Sequence, residues 1–222
     1  MRPRQRPRYR PIRLSAAPAD RPEAPHRRRT RRIGLFGGSF NPAHHGHVQI
    51  SLSALKALKL DEIWWLVSPQ NPLKARADMA PFEARVAGAR ELVKDRRIKV
   101  STLEAERGLI FTADTVRYLK RRHKGVRFVW LMGADNLPQF ARWRRWAEIY
   151  RALPVAIFDR RPYAPRVHAA VPSLRFARHQ LPERLSRRLA ALTPPVWSFL
   201  HGRLNAASAT AIRAAQMAKK QR

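Results

Sequence analysis

One stretch constrains the fold of this chain more than any other: Gly34-Leu35-Phe36-Gly37-Gly38-Ser39-Phe40-Asn41-Pro42-Ala43-His44-His45-Gly46-His47. It continues a short apolar run that begins at Ile33 and leads into Val48–Leu58, where apolar residues recur at helical spacing. The pattern predicts a strand, a glycine-rich turn and a helix. That junction is where an α/β sheet presents backbone N–H groups and a positive helix end to an anion. Gly37 and Gly38 carry no Cβ, so the backbone there can approach a ligand closely. His44 and His47 stand at the helix entry and could donate to phosphate oxygens without the bulk and mutual repulsion of two long cations. As metal ligands the pair lacks a third partner at matching spacing. The stretch is neither a Walker loop, since no Gly-Lys-Ser/Thr follows, nor a G-x-G-x-x-G dinucleotide fingerprint.

The rest of the chain continues the alternation. Glu62–Ser68 reads as a buried parallel strand and is followed by a proline-punctuated loop, Pro69 to Lys74. Residues 81–94 predict a helix with Pro81 in its first turn, and Ile98–Ser101 a short strand. A helix over 113–122 has Thr112 placed to cap it through its hydroxyl and Asp114 to suit its dipole. Val126–Met132 is a further strand, ending in Gly133-Ala134-Asp135. Trp143 and Trp146 fall on one face of a helix, with core packing as the ordinary role for such a pair. Leu153–Asp159 reads as a strand, 160–182 as irregular, Pro182–Leu192 as a helix and Val196–Leu200 as a strand. Ser208 opens a last helix. The fold class this predicts is α/β, a Rossmann-like doubly wound parallel sheet in a single domain with a C-terminal helical segment.

Composition sets the limits. The chain has 222 residues, 45% of them apolar, and no cysteine, which excludes disulfide scaffolds and Cys-based zinc sites. No apolar run approaches the roughly 18 residues of a membrane helix. The net charge is +31, of which residues 1–32 supply +10 through twelve arginines against Asp20 and Glu23. With six prolines and almost no large apolar residue, 1–32 reads as a disordered basic tail and 33–222 as the folded domain. The tail weakly resembles a mitochondrial presequence, though its prolines spoil an amphipathic helix. A translation start placed too early explains it equally well. Charge alone would suggest a nucleic-acid binder, but no helix-turn-helix, zinc finger or RNA-binding motif supports a specific one.

The run Gly37-Gly38-Ser39-Phe40-Asn41-Pro42-x-His44-x-Gly46-His47 resembles the nucleotidyltransferase motif of bacterial nicotinate-nucleotide adenylyltransferases. The resemblance extends over roughly 33–214 in five separated motifs. It implies a cytoplasmic enzyme that transfers the adenylyl group of ATP to nicotinate mononucleotide and releases pyrophosphate. By that resemblance Gly37, Gly38, Ser39, Phe40, His44, His47, Gly133, Asp135, Ser208, Thr210 and Arg213 meet ATP. Asn41, Lys74, Thr112, Trp143 and Arg144 meet the mononucleotide. His44, His47, Lys74 and Arg213 carry the charge stabilisation, and Mg²⁺ arrives with ATP rather than in a protein cage. Trp146 is assigned to the core and Trp143 to stacking on the pyridine ring. Arg85 matches a family arginine near the site, although its position otherwise reads as a surface one.

The chain departs from the family pattern twice. Leu73 stands where a histidine is usual, and Ile110-Phe111 replaces Ser-Tyr before Thr112. A phosphopantetheine adenylyltransferase-like enzyme is the nearest alternative, and the glycine run and Trp143 argue against it. A homo-oligomer is compatible with the sequence.

Overall fold

The computed structural model describes residues 30–70, 79–159 and 167–202. Lys74, Ser208, Thr210, Arg213 and the expected C-terminal helix lie outside the described residues, as does most of the basic tail.

Six strands form one sheet: β1 (Arg32–Gly38), β2 (Glu62–Val67), β3 (Ile98–Ser101), β4 (Arg127–Gly133), β5 (Val155–Phe158) and β6 (Trp197–Leu200). All five pairings are parallel and the order is β3-β2-β1-β4-β5-β6. The chain winds outward from β1 to one edge, returns to the centre as β4, and winds to the other edge. This is the doubly wound arrangement expected from the sequence, and β1 and β4 flank its switch point.

Both faces are buried, which is why the strands read as continuous apolar runs. On one face Ile33 and Leu35 of β1, Trp130 and Met132 of β4 and Val155 and Ile157 of β5 pack under α4 (Thr112–Arg122) and α6 (Trp146–Ala152), each preceded by a single helical turn, α3 (Leu103–Glu106) and α5 (Leu137–Phe140). On the other, Phe36, Trp65, Leu131 and Phe158 pack against α1 (His45–Ala57) and α2 (Phe82–Leu92). The alternation along each strand follows from the period of two in a pleated backbone. The buried Trp65 indole donates to Ser51 Oγ (2.8 Å), which satisfies the one polar atom it brings into the core.

Four local expectations are corrected. The ladder reaches Arg32, whose N–H donates to Asp61 Oδ2 at 2.8 Å, so the last residue assigned to the tail belongs to β1. The N-cap of α4 is Phe111, extended at φ −108 and ψ 131, and no side chain caps it; Thr112 is the first helical residue. Trp143 and Trp146 do not share a helix, because Arg145 adopts a left-handed conformation (φ 56) and α6 begins only at Trp146. Residues 183–191 turn as a 3₁₀-helix rather than an α-helix.

Candidate active site

The site opens at the carboxyl ends of β1 and β2. A pocket of about 160 Å³ is lined by Gly37, Gly38 and Ser39, by Ser68 after β2, by Glu104, by Ile110–Thr112 at the entry of α4, and by Arg142–Arg144.

The two glycines of the turn have different reasons. A Cβ on Gly37 would sit 2.5 Å from the Trp130 ring, so its absence makes room for a rigid core side chain. A Cβ on Gly38 would meet only the Phe40 ring, at 3.4 Å, an ordinary contact. Gly38 is therefore the position where the bare backbone serves the pocket rather than the core. Phe40 holds a positive φ of 47, uncommon for a bulky residue, and its ring is buried in a stack on Trp65 (4.8 Å, 16°). Its ring belongs to the core; what it can offer a ligand is main chain. Asn41 is buried too, and its Oδ1 accepts from Ala80 N–H at 3.1 Å.

The histidines cap α1 reciprocally. Gly46 N–H donates to His44 Nδ1 (3.1 Å), and His44 N–H donates to His47 Nδ1 (3.2 Å). This is a capping box built from two imidazoles in place of the usual hydroxyl and carboxylate. Each Nδ1 spends its lone pair on a backbone N–H, which places the proton on Nε2 of both rings. The rings lie with centroids 3.8 Å apart. The cap thus holds the two rings together at a positive helix end; neither lines the pocket, to which this turn contributes Gly37, Gly38 and Ser39.

Across the pocket Thr112 begins α4, whose first N–H groups have no carbonyl within the helix to bond. Asp114 anchors the neighbouring wall, pairing with Arg145 (2.6 Å) and Arg117 (3.0 Å). Trp143 is half-buried, edge-on to Trp130 (6.1 Å, 82°) and against Phe140 (4.8 Å), and reaches the pocket; Trp146 packs on Phe140, Tyr150 and Phe176. The Arg144 guanidinium lies 4.7 Å from the Phe111 ring centroid. Gly133 ends β4 and Asp135 follows on a 3₁₀ turn (Ala134–Asn136) at the same sheet edge, outside the pocket lining.

Sequence reasoning gave no role to three lining residues, Ser68, Glu104 and Arg142, and noted Ile110 and Phe111 only as departures from the family pattern. Glu104 is the least expected. It is buried, accepts from Thr115 Oγ1 at 2.8 Å, and burial pushes its carboxyl up to about 7, with the Thr115 hydroxyl pulling the other way. Among the described residues no group of three His, Cys, Asp or Glu is arranged to hold a metal, and no helix is long and apolar enough to cross a membrane.

The chain is similar to known proteins in sequence and fold. Residues 35–215 match the family described as cytidylyltransferase-like. A protein of Methylorubrum extorquens named "Probable nicotinate-nucleotide adenylyltransferase" is 50% identical over 182 residues, covering 82% of this chain and 98% of the relative. One of the same name from a Caulobacter species is 46% identical over 185 residues, covering 83% and 98%. A Plasmodium falciparum nicotinic acid mononucleotide adenylyltransferase complexed with NaAD superposes with a TM-score of 0.62 over 83% of both chains at 15% identity, which shows the shared fold. With that fold, that coverage and the two-histidine turn in place, the chain belongs to the cytidylyltransferase-like family and, within it, to the nicotinate-nucleotide adenylyltransferases.

Proposed function

We propose that this chain transfers the adenylyl group of ATP to nicotinate mononucleotide, giving nicotinate adenine dinucleotide and pyrophosphate in NAD biosynthesis. The observation that carries the reading is the reciprocal histidine cap at the start of α1, reached through the turn that begins with the bare backbone of Gly38. A phosphate oxygen of the mononucleotide attacks the α-phosphorus of ATP; the new P–O bond forms as the bond to pyrophosphate breaks. The attacking group is already an anion, so no side-chain nucleophile is required. Catalysis is positioning together with stabilisation of charge on the α-phosphate and the leaving group.

His44 and His47 donate from Nε2 to those oxygens. The main chain of Gly37, Gly38, Ser39 and Phe40 borders the phosphates, and Gly133 and Asp135 meet the nucleotide's ribose. Trp143 stacks on the pyridine ring, while the start of α4 at Thr112 takes its carboxylate. Arg144 adds positive charge to the same wall, and Asn41 steadies the turn beside the mononucleotide. Lys74, Ser208, Thr210 and Arg213, outside the described residues, complete the set of phosphate ligands.

Mg²⁺ favours oxygen ligands. The donors of this site are N–H groups, and each imidazole Nδ1 is already engaged, so the fit is to a cation held by the phosphates of ATP. Bound there, it neutralises phosphate charge. Because ATP is the co-substrate, we place the enzyme in the cytoplasm, and we read its basic surface as solvated rather than as a nucleic-acid footprint. Purified protein given ATP, Mg²⁺ and nicotinate mononucleotide should form the dinucleotide and pyrophosphate one for one. Failure to form either would overturn the reading.

A further inference from the structure

We propose that Arg85 is a positioning residue for adenylyl transfer: its buried guanidinium ties the glycine turn after β1 to the end of β2 and so sets the two sides of the phosphate site against each other. The inference rests on the proposed activity for its kinetic meaning, but the geometry stands on its own.

Arg85 lies on α2, whose residues Glu83, Ala84, Ala87, Gly88 and Arg90 are exposed, yet it is only 4% exposed itself. Its Nη1 donates to Ser39 O (2.6 Å) and Ser68 O (2.8 Å), Nη2 to Pro69 O (3.0 Å), and Nε to Ala80 O (3.1 Å). All four acceptors are main-chain carbonyls. Among the described residues no carboxylate lies within ion-pair distance of it. A charge removed from water is ordinarily paired with an opposite charge. Here it is met by carbonyl dipoles drawn from three separate segments. Burial accordingly pushes the guanidinium below its ordinary value, with the nearby Glu83 opposing.

Two of the tethered residues, Ser39 and Ser68, line the pocket, whereas Arg85 does not. It therefore acts through them. The network closes on itself: the Ala80 peptide accepts from Arg85 Nε and donates to Asn41 Oδ1, so the turn 39–41 is held at both ends. Ser68 N–H adds a direct bond to Gly38 O at 2.9 Å. The planar fork of an arginine can reach these carbonyls together; a lysine ammonium is a point donor and cannot.

The test is steady-state kinetics of wild type, Arg85→Lys and Arg85→Met, well below melting and normalised to folded protein. Backbone amide NMR shifts of Gly38, Ser39 and Ser68 are recorded alongside, without substrate. Misplacing a site by about 1 Å costs up to roughly 10²-fold in rate. We expect kcat to fall about 30- to 100-fold in both variants, KM for either substrate to change less than about threefold, and the three amide shifts to move while those of β5 stay. Wild-type kcat per folded molecule in both variants, with only melting lowered, would overturn the proposal. So would failure of both variants to fold, which would make Arg85 part of the fold itself. If wild type makes no product, the proposed activity fails, and the amide shifts alone judge Arg85: unmoved shifts in Arg85→Lys sink it.

Discussion

The two walls of the pocket are built differently. The wall formed by the end of β1 and its turn is fixed by backbone: the turn runs into α1 through two histidines locked by main-chain N–H groups, Asn41 ties it to Ala80 ahead of α2, and Arg85 ties it to the end of β2. Among the described residues, the wall formed by 110–112 and 142–145 makes only local main-chain bonds, such as Trp143 N–H to Phe140 O (3.0 Å), and is joined across the wall by side chains: an Asp114–Arg145 ion pair, a cation over Phe111, and Trp143 against other aromatic rings. The contrast separates two tasks. Charge stabilisation needs donors that do not reorganise during reaction, and backbone anchoring supplies that. Substrate choice needs a surface that can vary by substitution, and side-chain packing allows it.

The comparison breaks most visibly at the histidines. Replacing His44 or His47 with Asn retains a side chain able to accept from a backbone N–H but removes the Nε2 donor. Turnover should fall about 10²–10³-fold, as for loss of one charge-stabilising donor. Melting should stay near wild type, whereas His44→Ala also gives up the cap, about 0.5–2 kcal/mol. Undiminished turnover in His47→Asn would remove the fixed wall from the chemistry.

Glu104, at the pocket between the walls, makes a pH prediction. Its carboxyl titrates near 7 in the fold against an ordinary 4.5. The folded state therefore holds the extra proton between those values. Its contribution to stability is complete below about pH 4.5 and is lost as pH rises through about 7, roughly 3 kcal/mol at about 1.4 kcal/mol per unit. Glu104→Gln, neutral throughout, should melt higher than wild type at pH 8 and lose that difference toward pH 4.5. Parallel melting curves against pH would refute the assignment.

The glycines sharpen the comparison within the fixed wall. Gly37→Ala forces a methyl into Trp130 and should cost about 1–3 kcal/mol of stability, as overpacking does. Gly38→Ala meets no such obstacle, so melting should hold while turnover drops. Thermal unfolding beside an activity assay decides it; equal melting losses would remove the distinction. The smallest effect belongs to the variable wall. Trp143→Ala should raise KM for the mononucleotide about two- to tenfold, from the roughly 0.5–1.5 kcal/mol of a stacking contact, with kcat little changed.

The same contrast governs what could be read from the sequence. β1, β2 and β4 announce themselves because strands buried on both faces are continuous apolar runs, and Gly-Gly followed by paired histidines marks the fixed wall. The variable wall was harder. Thr112 is a good capping residue by type, but the chain enters α4 with Phe111 extended, which puts Thr112 one position inside. Spacing alone joined Trp143 to Trp146, and no residue type signals the left-handed turn at Arg145 between them. Arg85 and Glu104 lie in charged stretches that look solvated. Only the tertiary fold shows that each turns inward, Arg85 onto four carbonyls and Glu104 onto Thr115 and the pocket. The roles given to Gly133 and Asp135 rest on their strand end, which the structure brings to the same sheet edge as the turn.

The most direct test of the account is kcat/KM for nicotinate mononucleotide and for its amide counterpart at saturating ATP and Mg²⁺. N–H groups at a helix start favour an anion by about 0.3–2 kcal/mol. An amide that leaves buried donors unmatched loses about 1–3 kcal/mol more. The account predicts that the acid is preferred on the order of ten- to a thousand-fold. Equal values for acid and amide would contradict it.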